Sequence, residues 1–594
     1  MQNSELRSEL LAHWKIVICS LAFLCYVQTI GFPFAYDDQF LIGNNVYITS
    51  FGYLPRFFTT HLWDSYDVHM VNFYRPLLLT WSLINHALFG LNPIGWHLTN
   101  VLLHTLATYL VCLLAEKFSA DRGIGILAGL IFALHPVHLE VVAWASAASD
   151  MLLAIFVVGS MICYLIAGER QQNRRWQALA WLFYAAALFS KEPAVMMPLF
   201  IFGLAWLRRS TEESFKAKAL ASLKAAAPFV VIVCGYYITR LALFGGEHYS
   251  AGETITLATM VQTWPLLLCF YLKLLLFPFH MSPLYDVPSV TSITQAGFIV
   301  PVLLITLLGA GLLFWSRRDQ SKVVLFACLW IVWLAPAFYI RAFAPEKKAG
   351  DRYLYLASVG FCILAAAGIR RIRLPRREFF GVPGAQSAAA LALAMTLTGA
   401  TLTQEMNWSS DLVLFYRASR IAPRNDIAKE NLAIALMMRG RYERALPLLL
   451  DVVRRKPKRW PVLNYAGLAY YHLADYQHAI DYLSRAIEVN DADAQEYAYL
   501  GLSQLKLAQP APAAQNLQIA LRLKPDQEDC HFGLGLILEQ QGMLQAALNE
   551  YEAELKLQPT NAALQKYVKE VQARISPQSA MQQPAASQES DPKL

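Results

Sequence analysis

Long apolar runs alternate with short polar loops from the N-terminus to about residue 404, and then the pattern changes. Runs near 15–31, 95–114, 124–140, 150–167, 177–190, 193–207, 225–244, 297–315, 323–340, 353–369 and 386–403 approach the ~20 residues that a helix needs to cross a bilayer. They predict roughly 11 spans. A further apolar stretch near 257–279 breaks the parity if it spans, because both its flanks, "GGEHY" and "HMSPLYD", would face the same side. It is read as a re-entrant or surface-lying segment. The first run lacks a small-residue cleavage site and reads as a retained helix.

Beyond residue 425 the period becomes 34. Ala445, Ala479, Ala513 and Ala547 recur at that spacing, as do Ala433, Gly467, Gly501 and Gly535. Pro457, Pro525 and Pro559 share the lattice, with Asp491 in the remaining slot. Small residues let paired helices approach, and the proline ends the second helix of each pair. This is the period of tetratricopeptide repeats, four of which stack into a short superhelix with a concave groove. The predicted fold is therefore all-α, a polytopic transmembrane helical domain followed by a tetratricopeptide-repeat solenoid. The divisions are a membrane domain over 1–404, a linker over 405–424, repeats over 425–570 and a polar, disordered tail over 571–594.

Composition sharpens this picture in two places. Of the 594 residues only 16% are charged and 56% are hydrophobic, against roughly 25% charged in soluble domains. The net charge of +7 calls for no nucleic acid, since the basic excess sits in short loops and sets topology. Eight of the nine cysteines lie in or beside apolar runs, which is neither a disulfide framework nor a metal-type cluster.

With the basic clusters at 169–176, 208–218, 317–322 and 370–378 inside, the other ionisable residues converge on the outer face. They are the adjacent acids Asp37 and Asp38, Arg75 in "NFYRP", His135, His138 and Glu140 in "HPVHLE", Lys191 and Glu192 in "SKEP", the "GGEHY" loop, and Arg341, Lys347, Lys348 and Arg352 in "RAFAPEKKAGDRY". Boundary charges of this kind mark functional sites. A lipid-phosphate-linked sugar suits the set. An Asp within reach takes the proton of an acceptor hydroxyl, and cations stabilise the departing phosphate. Asp37 and Asp38 are the candidate bases, and two adjacent carboxylates raise each other's pKa. Four cations in one outer loop run against the positive-inside bias, with Arg352 best placed to reach a phosphate. Arg75 positions the first loop or touches phosphate, and Lys191 and Glu192 pair with each other or bind substrate. His135 and His138 hydrogen-bond substrate or loop. Pro136 between them and the lack of a third ligand argue against zinc. No cofactor is required by this pattern, which leaves a divalent metal open.

The blocks "YDDQFLIGNNVYI", "YRPLLLTWSLINHALFGLNPIGWHLTNVLLH", "FALHPVHLEVVAWASAASDML", "SKEPAVMMP" and "DRYLYLAS", followed by the repeats, resemble the transmembrane and TPR-containing O-mannosyltransferases. The resemblance implies a GT-C glycosyltransferase with a polyprenyl-phosphate donor and inversion at the anomeric carbon. It puts the acidic motif on Asp37 and Asp38, with Asp37 as base. It also implies a hexose, mannose by analogy, and a Ser/Thr acceptor on a protein or peptide held by the repeat groove. Four repeats are fewer than many eukaryotic relatives carry. A bacterial inner membrane with periplasmic repeats is expected, or an endoplasmic-reticulum membrane with luminal repeats in a eukaryote. The alternatives are a lipid or glycan acceptor, or a membrane-anchored scaffold without activity.

Overall fold

A computed structural model describes residues 2–64, 73–169, 173–210, 212–245, 255–318, 321–342, 345–371, 378–379 and 382–581. Apart from a hairpin pairing Glu378–Phe379 with Val382–Pro383, the described residues are helical or irregular. The chain divides into two compact units, Met1–Asn425 and Asp426–Leu594.

Among the described residues of the first unit, seven helices are long and apolar enough to cross a membrane: His13–Gly31, Pro93–Ser119, Ala145–Glu169, Phe215–Phe244, Leu257–Leu276, Ala296–Arg317 and Asp351–Arg370. An eighth span arises if Arg122–Leu134 and Pro136–Ala143, bent by 52° at their junction, count as one. The chain is thus a polytopic membrane protein. The bend follows from the sequence. Pro136 has no N–H to continue the ladder, and His135 leaves the helix extended, its ring accepting the Val137 N–H at 3.2 Å.

Three of the eleven expected spans form shorter helices: Arg174–Ser190, Met197–Arg208 and Ser321–Leu329, the last continuing as a 3-10 helix over Trp330–Phe338. Gly384–Glu405 is long enough, but its Thr, Ser and Gln residues dilute its hydropathy. The stretch expected to be re-entrant is a continuous helix, Leu257–Leu276, with the length of a span. The "GGEHY" loop lies outside the described residues after Gly245. Residues 405–424, expected as a linker, belong to the first unit and contain the helix Asp411–Ile421.

In the second unit, the pairs Asp426–Met437 with Tyr442–Arg455, Trp460–His472 with Tyr476–Val489, Ala494–Lys506 with Pro510–Leu523, and Cys530–Gln540 with Leu544–Leu557 are the four repeats. A last helix, Ala562–Met581, covers the fourth and runs into the segment expected to be disordered. Ala445, Ala479, Ala513 and Ala547 are fully buried. A Cβ on Gly467, Gly501 or Gly535 would lie 2.6 Å from Leu483, 2.9 Å from Leu517 or 2.4 Å from Tyr551, so these positions set how closely each pair packs. Gly501→Val should therefore overpack the third repeat and destabilise the unit by roughly 1–3 kcal/mol. Protease cutting within 426–581 at a lower temperature than in wild type would register this, and an unchanged temperature would refute the packing argument.

Candidate active site

The turn that carries the two acids is built by backbone hydrogen bonds. After the helix ending at Tyr26 and a 3-10 turn over Val27–Gly31, the chain runs extended and folds back at Ala35–Asp38. Tyr36 sits at φ +60°, a left-handed conformation that costs an aromatic residue of order 1–3 kcal/mol and clusters at functional sites. Several contacts over-determine it. The Tyr36 N–H donates to Asp411 Oδ1 at 2.8 Å. Its ring packs on Trp144 at 5.1 Å and Phe415 at 5.5 Å.

The two acids are not equivalent. Asp38 is fully buried; Oδ2 accepts the Ala35 N–H at 3.0 Å and Oδ1 accepts the Ser146 N–H at 2.8 Å. Burial pushes its pKa up to about 7, against the pull of these bonds. Asp38 thus clamps the first loop to the segment after the bent helix pair. Asn100 steadies that segment in turn, its Nδ2 donating to the carbonyls of Trp144 at 3.0 Å, Ala145 at 3.3 Å and Val142 at 3.4 Å. Asp37 is half-buried, and among the described residues its carboxylate accepts no hydrogen bond. Burial raises its pKa, while Lys347 and Arg352 act in the opposite direction. Lys347 stands 5.8 Å from the Tyr36 ring centre, and Tyr36 foremost, with Asp37, holds its ammonium charged. Burial, rather than mutual repulsion between the acids, dominates both carboxyl shifts.

Asp38→Asn should expose this division of labour. An amide offers one acceptor where two backbone N–H groups need one each, at a cost of about 1–3 kcal/mol. Thermal unfolding should show a clear drop for Asp38→Asn and none for Asp37→Asn. Equal behaviour would remove the distinction.

Around the turn, ion pairs join distant parts of the chain. Arg352 donates from Nη1 to Glu140 Oε1 at 2.5 Å and from its backbone N–H to Oε2 at 2.9 Å, and its guanidinium lies 5.9 Å from the Trp144 ring centre. Lys191 does not pair with its neighbour Glu192. It reaches Asp150 Oδ2 at 2.5 Å, both side chains buried, while Glu192 receives Arg75 through Nε at 3.0 Å and Nη2 at 2.7 Å. Neighbours part company because Lys191 is extended and Glu192 opens a 3-10 turn. Arg75 and Lys191 are thereby each held by a carboxylate.

Of the two expectations for the histidines, substrate or loop, the described contacts are with the chain itself. His135 Nε2 donates to the Leu275 carbonyl at 3.0 Å and its other nitrogen is the cap described above. His138 Nδ1 donates to the Phe132 carbonyl at 2.9 Å, and its Nε2 lies 2.8 Å from Ser358 Oγ. All four ring nitrogens serve the fold. Lys348 turns inward to Ser289 Oγ at 2.5 Å, and Arg341 is exposed and does not join the network. Of the loop cations, Lys347 and Arg352 are the two brought to the acids.

Sequence reasoning passed over several members of the site. Tyr36, Trp144 and Asp150 stood inside quoted motifs, and Asp150 and Asp351 are acids at the edge of apolar runs, which was the available signal. Asp351 Oδ1 accepts the Tyr285 hydroxyl at 2.5 Å and Oδ2 the Ser282 N–H at 3.2 Å, pinning the loop after Leu257–Leu276. Asp411 and Trp408, the latter stacked 6.4 Å from Trp144, come from the supposed linker and carried no signal.

The first unit thus sets a clamped acidic turn after its first membrane helix, with Lys347 and Arg352 acting on Asp37. Comparison with known proteins gives the chain its relatives. A tetratricopeptide repeat family model matches residues 417–497 and 500–562. A Caenorhabditis elegans protein named protein O-mannosyl-transferase F38B6.6 is 23% identical, covering 71% of this chain and 59% of its own length. Human protein O-mannosyl-transferase TMTC3 is 23% identical over 92% of this chain and 64% of its own. The chain therefore spans about three-fifths of the length of these curated relatives. The resemblance to TPR-containing O-mannosyltransferases is borne out by these names and by the repeats. The apo crystal structure of an Archaeoglobus fulgidus oligosaccharyltransferase is 14% identical and covers 71% of this chain and 60% of its own, but a TM-score of 0.36 is too slight to argue from.

Proposed function

We propose that the protein is an inverting, GT-C-type glycosyltransferase that moves a hexose, mannose by analogy with its relatives, from a polyprenyl phosphate to a Ser or Thr hydroxyl of a protein. The observation that carries this reading is the Asp37 carboxylate, which accepts no hydrogen bond among the described residues, in a strained and braced turn where Lys347 and Arg352 act on its charge. Asp37 takes the proton of the acceptor hydroxyl as its oxygen bonds to the anomeric carbon. The bond from that carbon to the lipid-phosphate oxygen breaks, and the electron pair leaves with the phosphate. Lys347 and Arg352 meet the charge that gathers there. Arg352 Nη1 and its backbone N–H are committed to Glu140, which aims the rest of the guanidinium. The repeats hold the acceptor near the site and raise its effective concentration. In this reading site and repeats share the extracytoplasmic face, periplasmic in a bacterium.

The test is transfer from a polyprenyl-phosphate hexose by the purified full chain in lipid nanodiscs, read by mass spectrometry on a protein acceptor and on a short Ser/Thr peptide. Removing 426–594 should cut protein modification at least tenfold while leaving transfer to the peptide within a few-fold. Loss of both in equal measure would assign the repeats no part in acceptor choice. No transfer to any hydroxyl acceptor would end the proposal.

A further inference from the structure

The helix Ala148–Glu169 has the acidic site at one end and a second feature at the other. Asp150 and Gly168 are 18 residues apart, about 27 Å along an α-helix. Around Gly168 lies a cavity of about 970 Å³ between this helix, Arg174–Ser190, Met197–Arg208 and Phe215–Phe244. Its volume is that of a ligand pocket. Its walls are apolar where Trp181 and Phe229 stand, and among the described residues its rim carries Arg208, Arg209 and Lys224 against a single acid, Glu213. Arg209 is 3.9 Å from Glu213. Among the described residues no carboxylate partners Arg208 or Lys224. The Arg208 guanidinium lies along Gly168, where an added Cβ would be 3.3 Å from Nη1. Pro228 on the cavity wall has no N–H to give the Lys224 carbonyl one turn before it.

The flank decides the occupant. Phe215–Phe244 buries little of its surface, with Val231 71% and Ile238 68% exposed along the bilayer-facing side. A ligand with an anionic head in the rim and hydrocarbon along this helix satisfies both halves of the feature, as in basic pockets between membrane helices. We infer that this cavity binds the phosphate headgroup of an anionic phospholipid, at the opposite end of the bundle from the acidic turn. This is independent of the proposed transfer reaction.

Native mass spectrometry of the delipidated full chain, titrated with phosphatidylglycerol or phosphatidylcholine, tests it. Phosphatidylglycerol should be retained at least fivefold better. Arg208→Gln combined with Lys224→Gln, both exposed positions, should bring the two lipids to parity. Ala221→Trp, which fills the cavity and keeps every charge, should do the same, with helical content unchanged by circular dichroism in each variant. Inorganic phosphate at 10 mM, on the order of a strong competitor for exposed charges, should leave the lipid bound. Equal retention of the two lipids by wild type overturns the inference. So does release by phosphate, which would assign the rim to free anions. A loss with the charge variant but not with Ala221→Trp also overturns it, since the attraction would then be a surface effect.

Discussion

In the proposed reaction, Asp37→Asn should all but abolish transfer while the protein folds as wild type does. The substitution is isosteric and removes the one property the reaction needs, an anionic oxygen able to accept a proton. General-base catalysis contributes about 10²–10⁴ in rate, so kcat should fall by that factor with the KM for donor nearly unchanged. Stability should not move, because the Asp37 carboxylate accepts no hydrogen bond from a described residue whose loss could be felt. The pH profile gives a second reading of the same group. A base works in its ionised form, and burial raises the pKa of Asp37. Activity is therefore lost as pH falls through that raised value, and the acid limb should lie above the ordinary aspartate range near ~4. Asp37→Glu should keep a weakened limb, and Asp37→Asn should leave none. If Asp37→Asn transfers sugar at the wild-type rate, the base is elsewhere and Asp38 does not inherit the role, since both its oxygens are engaged by backbone N–H groups.

What could be read before the structure was whatever repeats or has a length. The 34-residue lattice placed Ala445, Ala479, Ala513 and Ala547, which are fully buried, because periodicity maps directly onto helix contacts. The position of the acids at a helix mouth was also legible, and so was their company of cations. The choice of partners was not. Lys191 meets Asp150 across 41 residues, Arg75 meets Glu192 across 117 and Arg352 meets Glu140 across 212, and no local rule pairs residues so far apart. Adjacency misled for Lys191 with Glu192, and for Asp37 with Asp38 it accounted for the smaller part of the shift, behind burial. In each case a single step of backbone sends neighbouring side chains into different surroundings. For the histidines, the loop was one of the two partners expected, and the proline between them was the legible reason. Pro136 breaks the helix there, and the freed backbone groups of the bend consume the rings. Apolar runs mark more segments than there are described helices of full span length, because the chain also uses short helices and a 3-10 segment, whose length hydropathy does not report.

Arg352→Ala, in contrast to Asp37→Asn, should cost both folding and activity, and the two losses can be separated. Glu140 is 1% exposed and the Arg352 side chain 15%. Removing the cation leaves a buried carboxylate without its partner, which costs roughly 3–5 kcal/mol and should lower the thermal unfolding temperature of the detergent-solubilised protein accordingly. Replacing both members by apolar residues of similar volume, Glu140→Leu with Arg352→Met, removes the unpaired charge. Such exchanges are often neutral or stabilising, so unfolding should return close to wild type. Transfer should not return. In the proposed reaction Arg352 meets the negative charge of the departing phosphate, and a methionine offers it nothing. Recovery of stability without recovery of transfer would give Arg352 a role in the chemistry as well as in the fold. If the double variant regained activity along with stability, the Glu140–Arg352 pair would be a structural strut alone. Lys347, which no acid among the described residues takes up as Glu140 takes Arg352, would then be the cation on which stabilisation of the leaving phosphate depends.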